Sequence, residues 1–409
     1  MRKILTYAVS ALALASCSSD SLVGDSPVTN EAPIAFNVGL RNITRAVDGV
    51  DDSKNLEKNG YYDFGVWAYK YKEASSTLGS AVMNNYKVAY DNSAWGYVGV
   101  NGQVERYWDL SYNNTKFFAY APYSATGVVF TESTKTITVP ASVNAAGTSK
   151  DFIYATKSET NALSADGTHT KVQLQFKHLG AKVNLAFREN VDGYKVELID
   201  VKSDKEGESG IQLIPANESV SGETKTYTKG SYTTQTGATI NFSNPSEIAV
   251  TTVSTEAKTD DKNLTFALPT GNLTAYPKTE SKYNVLPEVP TEGTATYAVS
   301  PTTYYAVVQP EGNSGFTLHI SYKLIAEDNG EEIIVRDARA FIPANQAKWE
   351  SNKAYTYNFT IQSSSTGNTS GTVDLTDYDP TKGGLIPIVF DTPTITDYDS
   401  PAVSYDPSI

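Results

Sequence analysis

From residue 33 onward, the large apolar side chains of this chain recur at every second position. Ile34, Phe36, Val38 and Leu40 alternate with Ala35, Asn37, Gly39 and Arg41. Tyr62, Phe64, Val66 and Ala68 share one parity of Y-Y-D-F-G-V-W-A-Y-K-Y, and Tyr355, Tyr357, Phe359 and Ile361 do the same near the far end. A period of two is the repeat of an extended strand with one buried face, and a helix presents no continuous face at that spacing. Composition agrees where it discriminates: 27 Tyr stand against 2 Met, Thr and Val are abundant, and helix-type heptads are missing. Gly, Asn and Ser punctuate the sequence at the spacing expected of a sandwich. The fold class that follows is all-β.

The best-defined run in the middle of the chain is K-V-Q-L-Q-F-K-H-L-G-A-K-V-N-L-A-F, residues 171–187. Val172, Leu174, Phe176 and His178 share one parity, and Val183, Leu185 and Phe187 share the other. The switch falls at Leu179-Gly180, which places a β-bulge or bend there. Further strands are expected at 84–90, 104–108, 116–120, 136–139, 151–155, 194–201, 239–242, 264–268, 304–308, 316–324 and 333–342. Pro122 should end the strand that precedes it. The polar stretch 161–168 is the preferred domain boundary, giving domains at 46–165 and 166–409. No sequence repeat at a fixed period supports a solenoid or propeller.

The N-terminus is organised for export. Met1, Arg2 and Lys3 form a basic start, residues 4–15 form an apolar core too short to span a membrane, and Leu14-Ala15-Ser16 sets small residues before Cys17. L-A-S-C resembles the lipobox of bacterial lipoproteins, in which the cysteine becomes the lipidated first residue. An ordinary signal peptide is the alternative, but Cys17 is the only cysteine in the chain, and a lone thiol in an exported protein is accounted for by acylation. Residues 1–17 then form the leader and 18–32 a polar tether.

The strand that follows carries the functional reading. Its four large apolar side chains would contribute about 1.5–3 kcal/mol each on burial, so it should dock into a sheet. Directly behind it come Thr44, Arg45 and Ala46 and then a polar run, 48–59. A basic residue between a docked strand and a solvated loop is a protease target. Cleavage between Arg45 and Ala46 would free Ile34, Phe36, Val38 and Leu40 as a removable plug, with 18–45 as the pro-segment. At the other end, S-S-S-T-G-N-T-S-G (363–371) is a flexible linker that extends about 30 Å. Beyond it Ile386, Ile388, Phe390 and Thr392 alternate as a strand that could refill the vacated groove of a neighbour. Pro387 and Pro393 each remove a ladder donor, so the bland alternative, a last strand of the chain's own second domain, stands beside it.

Other chemistries find little support. The net charge of −13 repels phosphate backbones and argues against a nucleic-acid partner. No G-x-S-x-G, H-E-x-x-H, phosphate loop or paired-cysteine motif occurs, so no enzyme, cofactor or metal is expected. His178 reads as a hydrogen-bonded core residue, and His319, between Leu318 and Ile320, as solvent-facing. Asp374, Asp377 and Asp379 could gather a calcium ion, but their spacing does not follow the known loop. A solvated acidic turn is the preferred reading.

The ordered fragments F-G-V-W-A-Y (64–69), F-F-A-Y-A-P-Y (117–123), D-F-I-Y-A (151–155), F-K-H-L-G-A-K-V (176–183) and W-E-S-N-K-A-Y-T-Y-N-F-T-I (349–361) resemble the fimbrillin family of Bacteroidales type V pili. The resemblance covers nearly the whole chain. It implies two transthyretin-like, immunoglobulin-like Greek-key β-sandwich domains in tandem, acylation at Cys17 and cleavage at Arg45–Ala46 by an Arg-specific surface protease. It also implies residence in the outer membrane as a lipidated precursor, then polymerisation with other pilin subunits by strand exchange into an adhesive fimbrium. A tip adhesin, an anchor subunit and a surface glycan-binding lipoprotein are the alternatives.

Overall fold

The computed structural model of the chain describes residues 32–40, 56–72, 77–148, 150–201, 209–244, 248–275, 282–291, 296–309, 314–362, 373–381, 389–390 and 394–397. Alternation translates directly into strands: β1 (Phe36–Leu40), β2 (Asp63–Tyr71), β3 (Ala81–Tyr90), β4 (Trp95–Tyr97), β5 (Asn114–Ala121), β6 (Val129–Thr131), β7 (Thr136–Val139), β8 (Ile153–Thr160) and β9 (Val172–His178). β10 (Ala181–Asn190), β11 (Tyr194–Ile199), β12 (Ile211–Ser221), β13 (Thr224–Lys229), β14 (Tyr232–Asn241), β15 (Ala249–Asp260) and β16 (Leu264–Phe266) follow. The remainder are β17 (Asn272–Ala275), β18 (Lys282–Val285), β19 (Ala298–Val299), β20 (Tyr304–Ala306), β21 (Gly315–Ala326), β22 (Glu332–Ile342), β23 (Lys353–Gln362), β24 (Val389–Phe390) and β25 (Thr394–Asp397). Among the described residues there is no α-helix. The protein is all-β.

Four sheets result. The first runs β1-β9-β8-β5-β2-β3-β4, and the second, β15-β14-β7-β6, packs on one of its faces. Trp67, Tyr69, Phe118, Tyr120 and Tyr154 meet Ile137, Val139, Ile240 and Phe242 in that interface. The opposite parity of the same strands, including Phe64, Val66, Phe117, Ala119, Leu174 and Phe176, fills a second core. Burial on both faces explains why β2 and β5 are apolar at nearly every position. The third sheet is built on β10 and β23, and the fourth on β12, β21 and β11. Val183, Leu185 and Phe187 of one pack on Phe316, Leu318 and Ile320 of the other, with Trp349 and Tyr357 fully buried between them.

Leu179-Gly180 is a change of sheet. β9 belongs to the first sheet and β10, which starts at Ala181, to the third. The reversal of parity carries the chain out of one core and into the next. Gly180 is required there because a Cβ would sit 2.4 Å from the Ala306 carbonyl oxygen. The β14–β15 hairpin lies late in the chain yet joins the second sheet through β7, so the sheets are not contiguous blocks of sequence. Of the expected strands, 104–108 forms none; only an isolated bridge from Tyr107 to Pro33 is found.

Candidate functional site: the closing strand and its groove

Residues 32–40 lie between two edges and bond to both. The first half pairs antiparallel with 106–108: Ile34 N donates to Arg106 O (2.7 Å) and Trp108 N to Ala32 O (3.2 Å). The second half, β1, pairs in parallel with β9 in the register Phe36↔Val172, Val38↔Leu174 and Leu40↔Phe176, and Val172 N donates to Ala35 O. Tyr97 of β4 closes the ring, donating its hydroxyl to Ile34 O at 2.6 Å. β1 and β4 are the outer strands of the first sheet in hydrogen-bond order. That sheet is therefore curled on itself, with 32–40 as the strand that shuts it.

Ile34, Phe36 and Val38 are all buried. The Phe36 ring contacts Phe64 (5.5 Å), Phe117 (5.9 Å) and Tyr97 (6.3 Å), each edge-on, the geometry that ring quadrupoles favour. Asn37 points the other way and donates to Gln173 Oε1 at 2.9 Å. The alternation of 34–38 thus has the physical meaning expected of it, one face in the core and one in water. Together the three described apolar side chains contribute about 5–9 kcal/mol, an upper estimate. Without the segment, the backbone edge of β9 and an aromatic groove would face solvent. The Leu40 side chain and residues Cys17, Arg45 and Ala46 lie outside what is described.

The two described segments of the C-terminal tail, β24 and β25, lie on the third sheet. β24 pairs antiparallel with β23, Phe390 opposite Phe359, and β25 continues along it, Ile395 opposite Tyr355. In this state β24 and β25 are strands of the chain's own third sheet. Ile386 and Ile388 lie outside the described residues.

Ahead of the tail, residues 373–381 dock on the fourth sheet and correct the reading of His319. Its side chain is fully buried, because β21 is covered on both faces: Val373 and Leu375 pack with Val201 and Ile214 on the side that alternation alone would leave to water. His319 Nδ1 lies 2.6 Å from Asp337 Oδ1. Arg339 Nη2 donates to Asp337 Oδ2 at 2.5 Å, and its Nη1 to Asp379 O (3.0 Å), with Asp377 Oδ2 at 3.1 Å. Asp374 N donates back to Asp337, and Thr317 Oγ1 donates to Tyr378 O. Burial raises the Asp337 carboxyl, but hydrogen bonds from His319 and Arg339 outweigh it and hold the group down at about 2. Burial pushes His319 below its ordinary 6.5 despite that carboxylate, so the imidazole is neutral and donates to Asp337. Asp374, Asp377 and Asp379 therefore form a hydrogen-bonded latch. Among the described residues no cluster fit to hold a metal occurs. His178 is buried as expected, 3.4 Å from Asp151.

The architecture has known counterparts. A fimbrillin-like family model matches residues 44–377. The chain belongs to the fimbrillin-like family. A prokaryotic membrane lipoprotein lipid attachment site matches residues 1–18. The chain is 27% identical over 198 residues to the fimbrium subunit Fim1C of Phocaeicola vulgatus; the match covers 43% of this chain and 48% of the relative, so it spans about half of that protein's length. A fimbrial protein from Bacteroides vulgatus ATCC 8482, in crystal form, shares the fold with a TM-score of 0.50 at 16% identity, covering 90% of this chain and 99% of the other. The sequence reading of this fimbrillin-like chain had 104–108 as a strand of its own; what it lacked was the pairing of 106–108 with 32–34 and the part played by Tyr97. These are polar or aromatic residues in short segments without alternation, and nothing local marks them as the far wall of the groove.

Proposed function

We propose that this fimbrillin-like chain is a structural subunit of a surface fimbrium, exported as a lipoprotein acylated at Cys17 and activated by cleavage between Arg45 and Ala46. The observation that carries the reading is the strand 32–40. It buries Ile34, Phe36 and Val38 and bonds to two edges at once, yet its sequence ends a few residues before a basic site. Cleavage leaves it held by noncovalent contacts alone. Its departure opens a groove whose unpaired backbone and aromatic floor fit an apolar strand of a second copy, and Ile386, Ile388 and Phe390 of the tail are the proposed donor. An Arg-specific protease, other subunits and the outer membrane are the partners this implies, and adhesion is the role of the assembled fibre.

The tail's pairing with β23 favours a second reading, a subunit that accepts a strand but donates none, as at a fibre's end. Two measurements separate them. The N-terminal residue of protein recovered from cell surfaces should be Ala46; recovery of chains still beginning at Cys17 removes the plug model. Deletion of 384–409 should abolish polymers while the monomer still melts cooperatively; polymers of the deleted chain would rule out donation by the tail.

A further inference from the structure

We infer that a depression of about 410 Å³, between β3 and the loop 101–106, is a binding site for a saccharide carrying a carboxylate. It is independent of the strand-exchange reading. The cavity is lined by amides, a guanidinium and tyrosine rings, with no carboxylate among its walls: Asn84, Asn85, Asn101, Arg106 and Tyr123 face it. Primary amides offer a donor and an acceptor side by side, the spacing that vicinal sugar hydroxyls match, and an aromatic ring offers a flat apolar face to ring C–H groups.

The walls are built and held in place. The β2–β3 register slips between Val66 and Ala68, so Asn84 and Asn85 form a bulge that turns side chains out of the ladder. Asn85 sits at φ 49°, Asn101 at 53° and Gly102 at 74°; left-handed non-glycine residues are uncommon, and strain of this kind gathers at binding sites. Tyr120 donates to Asn85 Oδ1 at 3.1 Å, which leaves that amide's nitrogen as the outward donor. Gly65 makes room for this pair, since a Cβ there would lie 2.7 Å from Asn85 Oδ1. Gln103 ties the loop across β3, accepting from Lys87 N and donating to Asn85 O.

Arg106 supplies the acidic preference. Its Nε donates to the Tyr86 hydroxyl at 2.6 Å, which fixes the plane of the guanidinium. Its two terminal nitrogens, like the side-chain amides of Asn84 and Asn101, take no partner among the described residues. A fixed fork with open donors is the complement of a carboxylate. Lys87, 5.3 Å from the Tyr123 ring centre, adds a second positive charge at the rim, shared with Asp63 at 3.1 Å. Neighbouring Glu105 is engaged by the Tyr107 hydroxyl. In a chain of net charge −13, this local sign admits one carboxylate but not a polyanion.

The test is calorimetry and saturation-transfer NMR of the full-length protein with sialyllactose and galacturonate, each carrying one carboxylate, against lactose and galactose. The acidic sugars should bind saturably in the millimolar range or tighter. Arg106→Gln should weaken them about tenfold or more, Asn101→Ala several-fold, and Arg106→Lys should fall between. Because the Arg106 side chain is exposed, bonded only to Tyr86 among the described residues, and its backbone holds residue 34, melting should shift only slightly. Absence of saturable binding by either acidic sugar overturns the proposal. So does equal binding of neutral sugars, or binding that Arg106→Gln leaves intact.

Discussion

Phe36→Ala measures how far the closing strand is a separable unit. The Phe36 ring is 3% exposed and packs on three others, and truncating such a ring costs about 3–5 kcal/mol. That is a third or more of the roughly 5–9 kcal/mol that the strand's described side chains supply. A loss of about 3 kcal/mol raises the detached population about a hundredfold. To cut after Arg41 a protease must also bind Gly39 and Leu40, which are paired with β9, so trypsin can cut there only when the strand is out. Where opening and closing are fast, the cleavage rate tracks that population. Cleavage after Arg41 should therefore accelerate about a hundredfold, while amides of β2, β5 and β8 keep their exchange protection. If those amides lose protection in step with cleavage, the strand unfolds only with the rest of the sheet, and the reasoning fails.

Arg339→Met leaves Asp337 buried without its cation and should cost about 3–5 kcal/mol in denaturant melts. It should also speed amide exchange at 374–379; the double variant with Asp337→Asn should recover most of the loss, and no recovery would mean that Arg339 acts through packing alone. His319 has its folded-state pKa depressed below 6.5 by burial, so its neutral form stabilises the protein above pH 6.5, and that stability is lost as pH falls from there. His319→Gln should flatten the loss between pH 7 and pH 5, and an unchanged slope would show that the proton is taken up elsewhere. Asp337, held at about 2 against an ordinary 3.8, adds stability that is present above pH 3.8 and lost below it as pH approaches 2.

The parts legible in the sequence are those where a side chain meets only one alternative, core or water. The parity of 34–38, 172–178 and 183–187 gave strands, buried faces and the point of reversal at Leu179-Gly180. β13 and β15 escaped because they are ribbons rich in Ser, Thr and Lys, with exposed residues and no periodic trace; β12 escaped because its first half, I-Q-L-I-P-A, is buried on both faces and so does not alternate. His319 was misassigned for the converse reason. Alternation supposes one wet face, and the cover over that face comes from residues 373–381, about fifty positions away. The closing strand itself was readable, and 104–108 was expected to be extended, but the pairing of 106–108 with 32–34 was not legible, because nothing local in that segment specifies what it pairs with.

A disulfide staple tests the central claim most directly. Asn37 and Gln173 are register partners on adjacent parallel strands, with exposed side chains in contact. Neighbouring strands lie about 4.8 Å apart, within the span a disulfide bridges. In the Asn37→Cys/Gln173→Cys protein, oxidation fastens the closing strand to β9 even after the chain is cut behind Arg45. The cut, oxidised protein should remain monomeric by light scattering, and should assemble once reductant releases the strand. Assembly of the oxidised protein at the rate of the cut, unstapled chain would show that 32–40 need not leave its groove for subunits to join.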